Sequence, residues 1–343
     1  MPLIQIAASL SAFGALFFAS ALQAEDLNIY FKTSPRLELL RPFADPVGMS
    51  LLITGADGRP IGEGVVEIRL DAPKPGRFFS TDFPHVEGTR LKEMRLVLRQ
   101  GRANWNYLLP IRGEYHLTVD VAASDGRKAR KVFAFKVREN ESKYLFLGAF
   151  SLGLFFLGFF AGRMFSRAEA AGVAGIVAAL LFGSAGSLLA QGSAEPPGKA
   201  TLAIGSARVG TPIDVRWRLE NGAAVKKAPA LLTLTITHLE KGKVVFGVEK
   251  LAVLDEFSMK FQFPDGAEYK VEAVAHIPGE PVIRNEQRVL AAAAAPPPRA
   301  MLPALAYFLA LIALGLAAGR WSKLRKGSST AEITQSGQKE RGR

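Results

Sequence analysis

Apolar and polar residues alternate over short stretches in two regions of the chain, and around those regions the apolar residues run together without charge. Alternation at Met49–Thr54, Val65–Leu70, Leu91–Leu98, Tyr115–Val121 and Lys131–Val137 predicts short β-strands, separated by the turn signals Asp57-Gly58, Lys74-Pro75-Gly76 and Asp125-Gly126. A second set of strands is expected at 202–205, 213–219, 230–238, 243–248, 257–263, 269–275 and 281–289. With few helical periods among them, these runs predict two β-sandwich domains, at 25–142 and 198–290.

The uncharged runs have a different length. Tyr144 to Gly162 and Met301 to Gly319 are each 19 residues without a charge, enough to cross a hydrocarbon layer of about 30 Å at about 1.5 Å per helical residue. Ala170 to Ala194 is a third such run. Transmembrane helices are therefore expected at 143–164, 170–192 and 300–321. Residues 1–24 have an apolar centre at Ala12–Phe18 followed by small residues, Ala19-Ser20-Ala21 and Ala24, the pattern of a cleaved export signal. Arg163 and Arg167 between the first two helices, and Arg320, Lys323, Arg325 and Lys326 after the third, assign both segments to the cytoplasmic side. Both β-domains then lie outside a bacterial inner membrane, the second joined by an Ala/Pro linker at 291–299. A basic tail at 322–343, rich in Ser, Gly, Gln and charge, is expected to be disordered.

One unit is written twice. Leu157-Gly158-Phe159-Phe160-Ala161-Gly162-Arg163 and Leu314-Gly315-Leu316-Ala317-Ala318-Gly319-Arg320 share L-G-x-x-A-G-R. Upstream, Pro110 to Tyr115 matches Pro264 to Tyr269 at an offset of 154 residues (264 − 110). The pattern implies tandem duplication. The middle run fits as the second copy's export signal retained as a helix, because Ala179 to Ser184 echoes Ala15 to Ser20 and the small residues Gly192-Ser193-Ala194 follow. A cut near Ala194 would release two polypeptides. Gly158 and Gly162, Gly315 and Gly319, and the stripe containing Gly175 and Gly183 give small-residue faces on which helices pack closely in lipid.

The shared Glu-Tyr step resembles the tyrosine corner of immunoglobulin-like sandwiches and puts Tyr115 and Tyr269 at that corner, each hydroxyl bonding back to nearby backbone. The fold class expected is thus mainly β: two immunoglobulin-like sandwiches plus three transmembrane helices. Phe261 to Ala267 before a late strand resembles the membrane-tethered bacterial β-domains of the YtkA-like and FixH-like kind. That resemblance implies an accessory role in copper or respiratory-oxidase assembly. It also implies a histidine near this turn, where Tyr269 stands instead.

Charge and chemistry narrow the function classes. The net charge of +12 divides into +4 on 25–143, +2 on 195–299, +1 on 163–169 and +5 on the tail, so nearly half lies beside apolar runs and orients helices rather than binding nucleic acid. There is no cysteine, hence no disulfide, lipoprotein anchor or thiolate metal site. No ionisable residue lies inside the three runs, and the chain has no nucleophile elbow, P-loop or dinucleotide fingerprint. No catalytic residue and no cofactor is expected. His85, Met94 and His116 are the ligands to test for copper. The long stretch from Lys74 to Glu93 carries Phe78, Phe79, Phe83, His85 and Arg90 and is a candidate interaction loop. The expectation is a non-enzymatic scaffold or accessory protein with the bilayer and a membrane or envelope protein as partners. The alternative is periplasmic copper handling or oxidase assembly.

Overall fold

The computed structural model describes residues 27–76, 79–164, 200–220 and 229–340; the expected export signal at 1–24 and the expected helix at 170–192, with Gly175 and Gly183, lie outside them. Fourteen antiparallel strands and two long helices make up the described chain. The first half contributes β1 (Leu27–Ser34), β2 (Val47–Gly55), β3 (Glu63–Asp71), β4 (Arg90–Arg99), β5 (Arg102–Tyr107), β6 (Gly113–Ala123) and β7 (Lys128–Val137), then α1 (Glu141–Met164). The second contributes β8 (Ala200–Ile204), β9 (Ile213–Leu219), β10 (Ala230–His238), β11 (Lys243–Val253), β12 (Glu256–Phe261), β13 (Glu268–His276) and β14 (Ile283–Leu290), then α2 (Pro298–Glu340).

Strand pairing runs in two rows, β1-β2-β5-β11-β10-β13-β14 and β7-β6-β3-β4-β12-β9-β8, linked at the β4–β5 turn by Arg99 and Arg102. Each row starts in one half of the chain and ends in the other. The halves are therefore not beads on a string: one apolar core, from Leu27 to Ala291, fills the space between the rows. Period-two alternation supplies it. On β12 Phe257, Met259 and Phe261 point inward between exposed Glu256, Ser258 and Lys260. Contacts across the layers include Phe31 against Phe135, and Trp217 Nε1 donating to Asn285 Oδ1 at 3.2 Å.

Two strands escape the sequence reading. β1 was within reach of alternation, but β5, Arg-Ala-Asn-Trp-Asn-Tyr, has only Ala103, Trp105 and Tyr107 facing inward and two asparagines between them. Such a short polar-apolar mixture reads as a loop by composition.

Beyond the strands, α1 and α2 lie side by side and parallel. Ser151 Oγ and Tyr307 Oη are 3.2 Å apart, and Phe150 meets Phe308 edge-on at 5.4 Å. Further along, a Cβ added at Gly158 would strike the Ile312 carbonyl, at Gly162 that of Leu316, at Gly315 that of Phe155 and at Gly319 that of Phe159. The glycines thus let two backbones touch, and each contact from α1 to α2 has its counterpart from α2 to α1 at a shift of 157 residues (315 − 158). Glu141–Met164 and Pro298–Leu324 are each long and apolar enough to cross a membrane. The tail departs from expectation: backbone helix continues from 322 to Glu340. Propagating an existing helix needs only one bond per residue, and this stretch contains no proline.

Replacing Gly158 and Gly315 with leucine is expected to separate the helices. The cysteine-free chain offers a clean readout: a Ser151→Cys/Tyr307→Cys pair, whose native side chains meet only at their tips, should be joined within one chain by a short bifunctional maleimide, and the double leucine variant should slow that cross-link at least several-fold.

Candidate functional site

The two rows are continuous because each half presents two open strand edges to the other. β5 pairs with β11 through Phe246 opposite Tyr107 and Gly247 opposite Asn106. β4 pairs with β12 through Phe261 opposite Lys92, Lys260 opposite Glu93 and Met259 opposite Met94. The backbone closes both ends: Leu108 N donates to Val245 O at 2.9 Å, and Gln262 N donates to Leu91 O at 2.9 Å. Adding 154 to one member and subtracting it from the other turns the first set of contacts into the second (262 − 108; 245 − 91). That reciprocity is the mark of a twofold, isologous interface, here built within one chain.

At the middle of this seam the reciprocity breaks. Lys92 occupies an inward position of β4, between Leu91 and Met94, where the matching residue of the second half is Phe246. The Lys92 side chain is wholly buried, and Nζ has no hydrogen-bond partner among the described residues. It lies 4.9 Å from the ring centre of Trp105, 5.0 Å from that of Tyr107 and 4.7 Å from that of Phe246. Two of the rings come from β5 and the third from β11, so this one side chain is caged by both halves. Burial pushes the Lys92 amine well below the usual lysine range, while the ring faces offer partial compensation to the charged form. Burial likewise raises the Tyr107 hydroxyl above its ordinary value.

A second polar cluster joins the halves at one end of the seam. The buried His238 Nε2 lies 3.2 Å from Asp265 Oδ2, Lys241 Nζ reaches the same oxygen at 2.7 Å, and the Tyr269 hydroxyl donates to Oδ1. Burial alone would raise the Asp265 carboxyl, but bonds from Lys241, Tyr269 and His238 override it and hold that group below the usual range. Phe43 of the first half closes over this cluster, its ring 3.9 Å from Lys241 Nζ. The matching corner of the first half is simpler: Tyr115 Oη donates to Ile111 O at 2.6 Å and accepts from Ile111 N at 3.0 Å.

The long segment between β3 and β4 folds back onto the molecule. Among its expected interaction residues, Phe78 lies outside the described residues. Phe79 meets Tyr307 of α2 edge-on at 5.4 Å, and Phe83 stacks on Phe43 at 5.1 Å. His85 Nε2 lies 3.1 Å from Ala294 O in the linker, and Arg90 bonds Asp71 and Glu93. Asp82 pairs with Lys143 at the head of α1. This segment ties the first half to the linker and both helices; the second half has only residues 239–242 in its place.

The copper candidates are dispersed. Met94 is in the core opposite Met259, His116 stands on the outer face 3.5 Å from Glu114, and His85 faces the linker. Among the described residues no three or more His, Asp or Glu side chains gather in a way that could hold a metal ion. The seam and its buried lysine were missed from sequence. The signal was present, in Lys92 breaking an otherwise apolar inward register.

No family model and no curated protein matches the sequence. Among solved structures the chain is similar to trypsin-activated alpha-2-macroglobulin from Escherichia coli, at 13% identity and a TM-score of 0.26 over 79% of this chain and 17% of that one. It is also similar to a Ca2+-stabilised adhesin with which an Antarctic bacterium binds ice, at 8% identity and a TM-score of 0.21 over 78% and 48%. The chain thus spans a small part of the first and about half of the second, and such scores assign no shared fold.

Two outcomes follow for the seam. Lys92→Met should stabilise the protein near pH 7 by about 1–3 kcal/mol, since desolvating the amine is costly and methionine fills similar space. Because the unfolded lysine binds its proton more tightly than the buried one, wild-type stability should rise with pH until the ordinary lysine value near 10.4 is passed. Melting curves from pH 7 to 10.5 should show that rise in the wild type and a markedly smaller one in Lys92→Met. At the first corner, Tyr115→Phe removes both hydroxyl bonds and should cost about 1–3 kcal/mol in a denaturant titration, more than a surface substitution.

Proposed function

We propose that this chain is a non-enzymatic, membrane-anchored scaffold, presenting a rigid pair of β-units to a partner in the same membrane or envelope. The observation that carries the reading is the shared reciprocity of seam and helix pair. Both the β-strand contacts and the glycine contacts are exchanged between halves, and Phe79 against Tyr307 and Asp82 with Lys143 join the head to both helices. Fixing two units in one orientation is what a docking platform requires, because no ordering cost remains to be met when the partner arrives.

The finer architecture belongs to the same proposal. Each half has the strand plan of an immunoglobulin-like sandwich, with the tyrosine corner at Tyr115 and Tyr269. Strands β4 to β7 and β11 to β14 keep the 154-residue offset, as expected of a duplicated ancestor that once paired as a homodimer. Two parallel spanning helices with heads on one side call for a return crossing between them. A third crossing at 170–192 meets that need. An export signal at 1–24 and basic residues after α1 and in α2 fit heads outside a bacterial inner membrane and a C-terminus in the cytoplasm.

The test is purification of the intact chain from native membranes in mild detergent, followed by cross-linking and mass spectrometry. The expected result is a stoichiometric membrane complex whose cross-links fall on the β-head. A chain that elutes alone after cross-linking in intact membranes overturns the scaffold reading. A protease that cuts the head only after the membrane is breached from the cytoplasmic side overturns the orientation.

A further inference from the structure

Where the first half meets α1, a cleft of about 510 Å³ opens between the lower ends of β6 and β7, the folded-back β3–β4 segment and the first turn of the helix. Its walls carry Lys74, Arg112, Lys136 and Arg138, with Phe79 and Tyr144 at the side that faces the helices. Two carboxylates also line it, Glu139 and Glu141. Glu139 is already engaged, by Arg112 at 2.8 Å and Lys143 at 3.5 Å. Lys136 stands opposite Glu114 in the β6–β7 pairing, yet Glu114 lies beside His116. Lys74, Lys136 and Arg138 are exposed and form no ion pair among the described residues.

The second half supplies a natural control. At the 154-residue offset Arg112 corresponds to Gly266, Lys136 to Leu290 and Arg138 to Ala292; Leu290 stands opposite Glu268 as Lys136 stands opposite Glu114, and Gly266 and Ala292 lie just outside β13 and β14. The fold therefore does not need cations at these positions. They are confined to one of two matching pairs of strand ends, the one covered by the long segment bearing Phe79.

Depth defines the ligand. The apolar run of α1 begins at Tyr144, directly after Lys143, so the cleft sits within one helical turn of the hydrocarbon boundary. Below it the helix exposes Leu145 and Phe146. Cations above, an aromatic pair at the boundary and an apolar wall beneath reproduce the order of phosphate, interface and acyl chain in a lipid. We propose that this cleft binds the phosphodiester headgroup of an anionic phospholipid, with its acyl chains along α1. The inference rests on the reading that α1 and α2 span the bilayer.

The experiment uses the full-length protein in mild detergent, with phosphatidylglycerol, phosphatidylcholine and inorganic phosphate as separate probes, read by native mass spectrometry and thermal melting. The wild type should retain phosphatidylglycerol about tenfold or more over phosphatidylcholine and melt higher with it. Lys136→Leu/Arg138→Ala, the second half's own residues, should abolish that preference while melting like the wild type in phosphatidylcholine. Equal retention of the two lipids by the wild type overturns the site. Inorganic phosphate at millimolar concentration displacing the lipid and raising the melting temperature alone assigns the cleft to a soluble phosphate and overturns the lipid. A parallel alkaline wash of native membranes separates the premises: a chain released without detergent overturns the spanning helices, whereas a retained chain without lipid preference overturns the headgroup site alone.

Discussion

Backbone hydrogen bonding across an open sheet edge is the constraint from which the rest of this structure follows. A β-strand left at an edge exposes a row of unsatisfied amides and carbonyls, and proteins either blunt that row or pair it. Here β4 and β5 of the first half, and β11 and β12 of the second, satisfy one another. The pairing merges two small cores into one, which matters for units of this size because burial efficiency rises with the number of residues sharing a core. It also determines where the helices begin. Strands β7 and β14 leave the merged body at places set by the seam, and α1 and α2 start a few residues later at matching levels. The glycine contacts then follow from the same relation carried downward.

Lys92 is the cost within that arrangement. A buried amine with no hydrogen-bond partner among the described residues opposes the very contact it sits in, and the three rings around it return only part of the loss. Its counterpart being Phe246 has a specific effect. Pairing two first halves would bring two such amines together at the centre, whereas pairing a first half with a second brings together an amine and a ring. A single polar residue at an interface is known to select partners in this way in coiled coils.

The elements that sequence alone made legible are those whose signal is local. The apolar runs of α1 and α2 are read directly, as are the alternating strands β3, β4, β6 and β7. The L-G-x-x-A-G-R echo led to glycines that do touch across a helix pair. What stayed hidden depends on partners distant in the chain. β5 looks like a loop because Asn104 and Asn106 interrupt it, and it becomes a strand by bonding β2 on one side and β11 on the other. Aromatic residues between β3 and β4 looked like an outward surface, yet Phe83 finds Phe43 and Phe79 finds Tyr307, contacts that no local pattern encodes. The histidines and Met94 could be grouped by chemistry but not by place, and strand register put His116 and Met94 on opposite faces of one sheet.

Two helices leaving one body change its mechanics. A head on one helix can swivel about that helix, so its surfaces sample every compass bearing at little energetic cost. Here the head is fixed at two separated roots, after β7 and after β14, and those roots converge on a helix pair locked by close backbone contact. Rotation of the head would have to twist one helix around the other and prise the glycines apart. The azimuth of every loop and strand on the head is therefore tied to the helix pair, and torque applied at the top is shared between two roots before it reaches the level of Gly319.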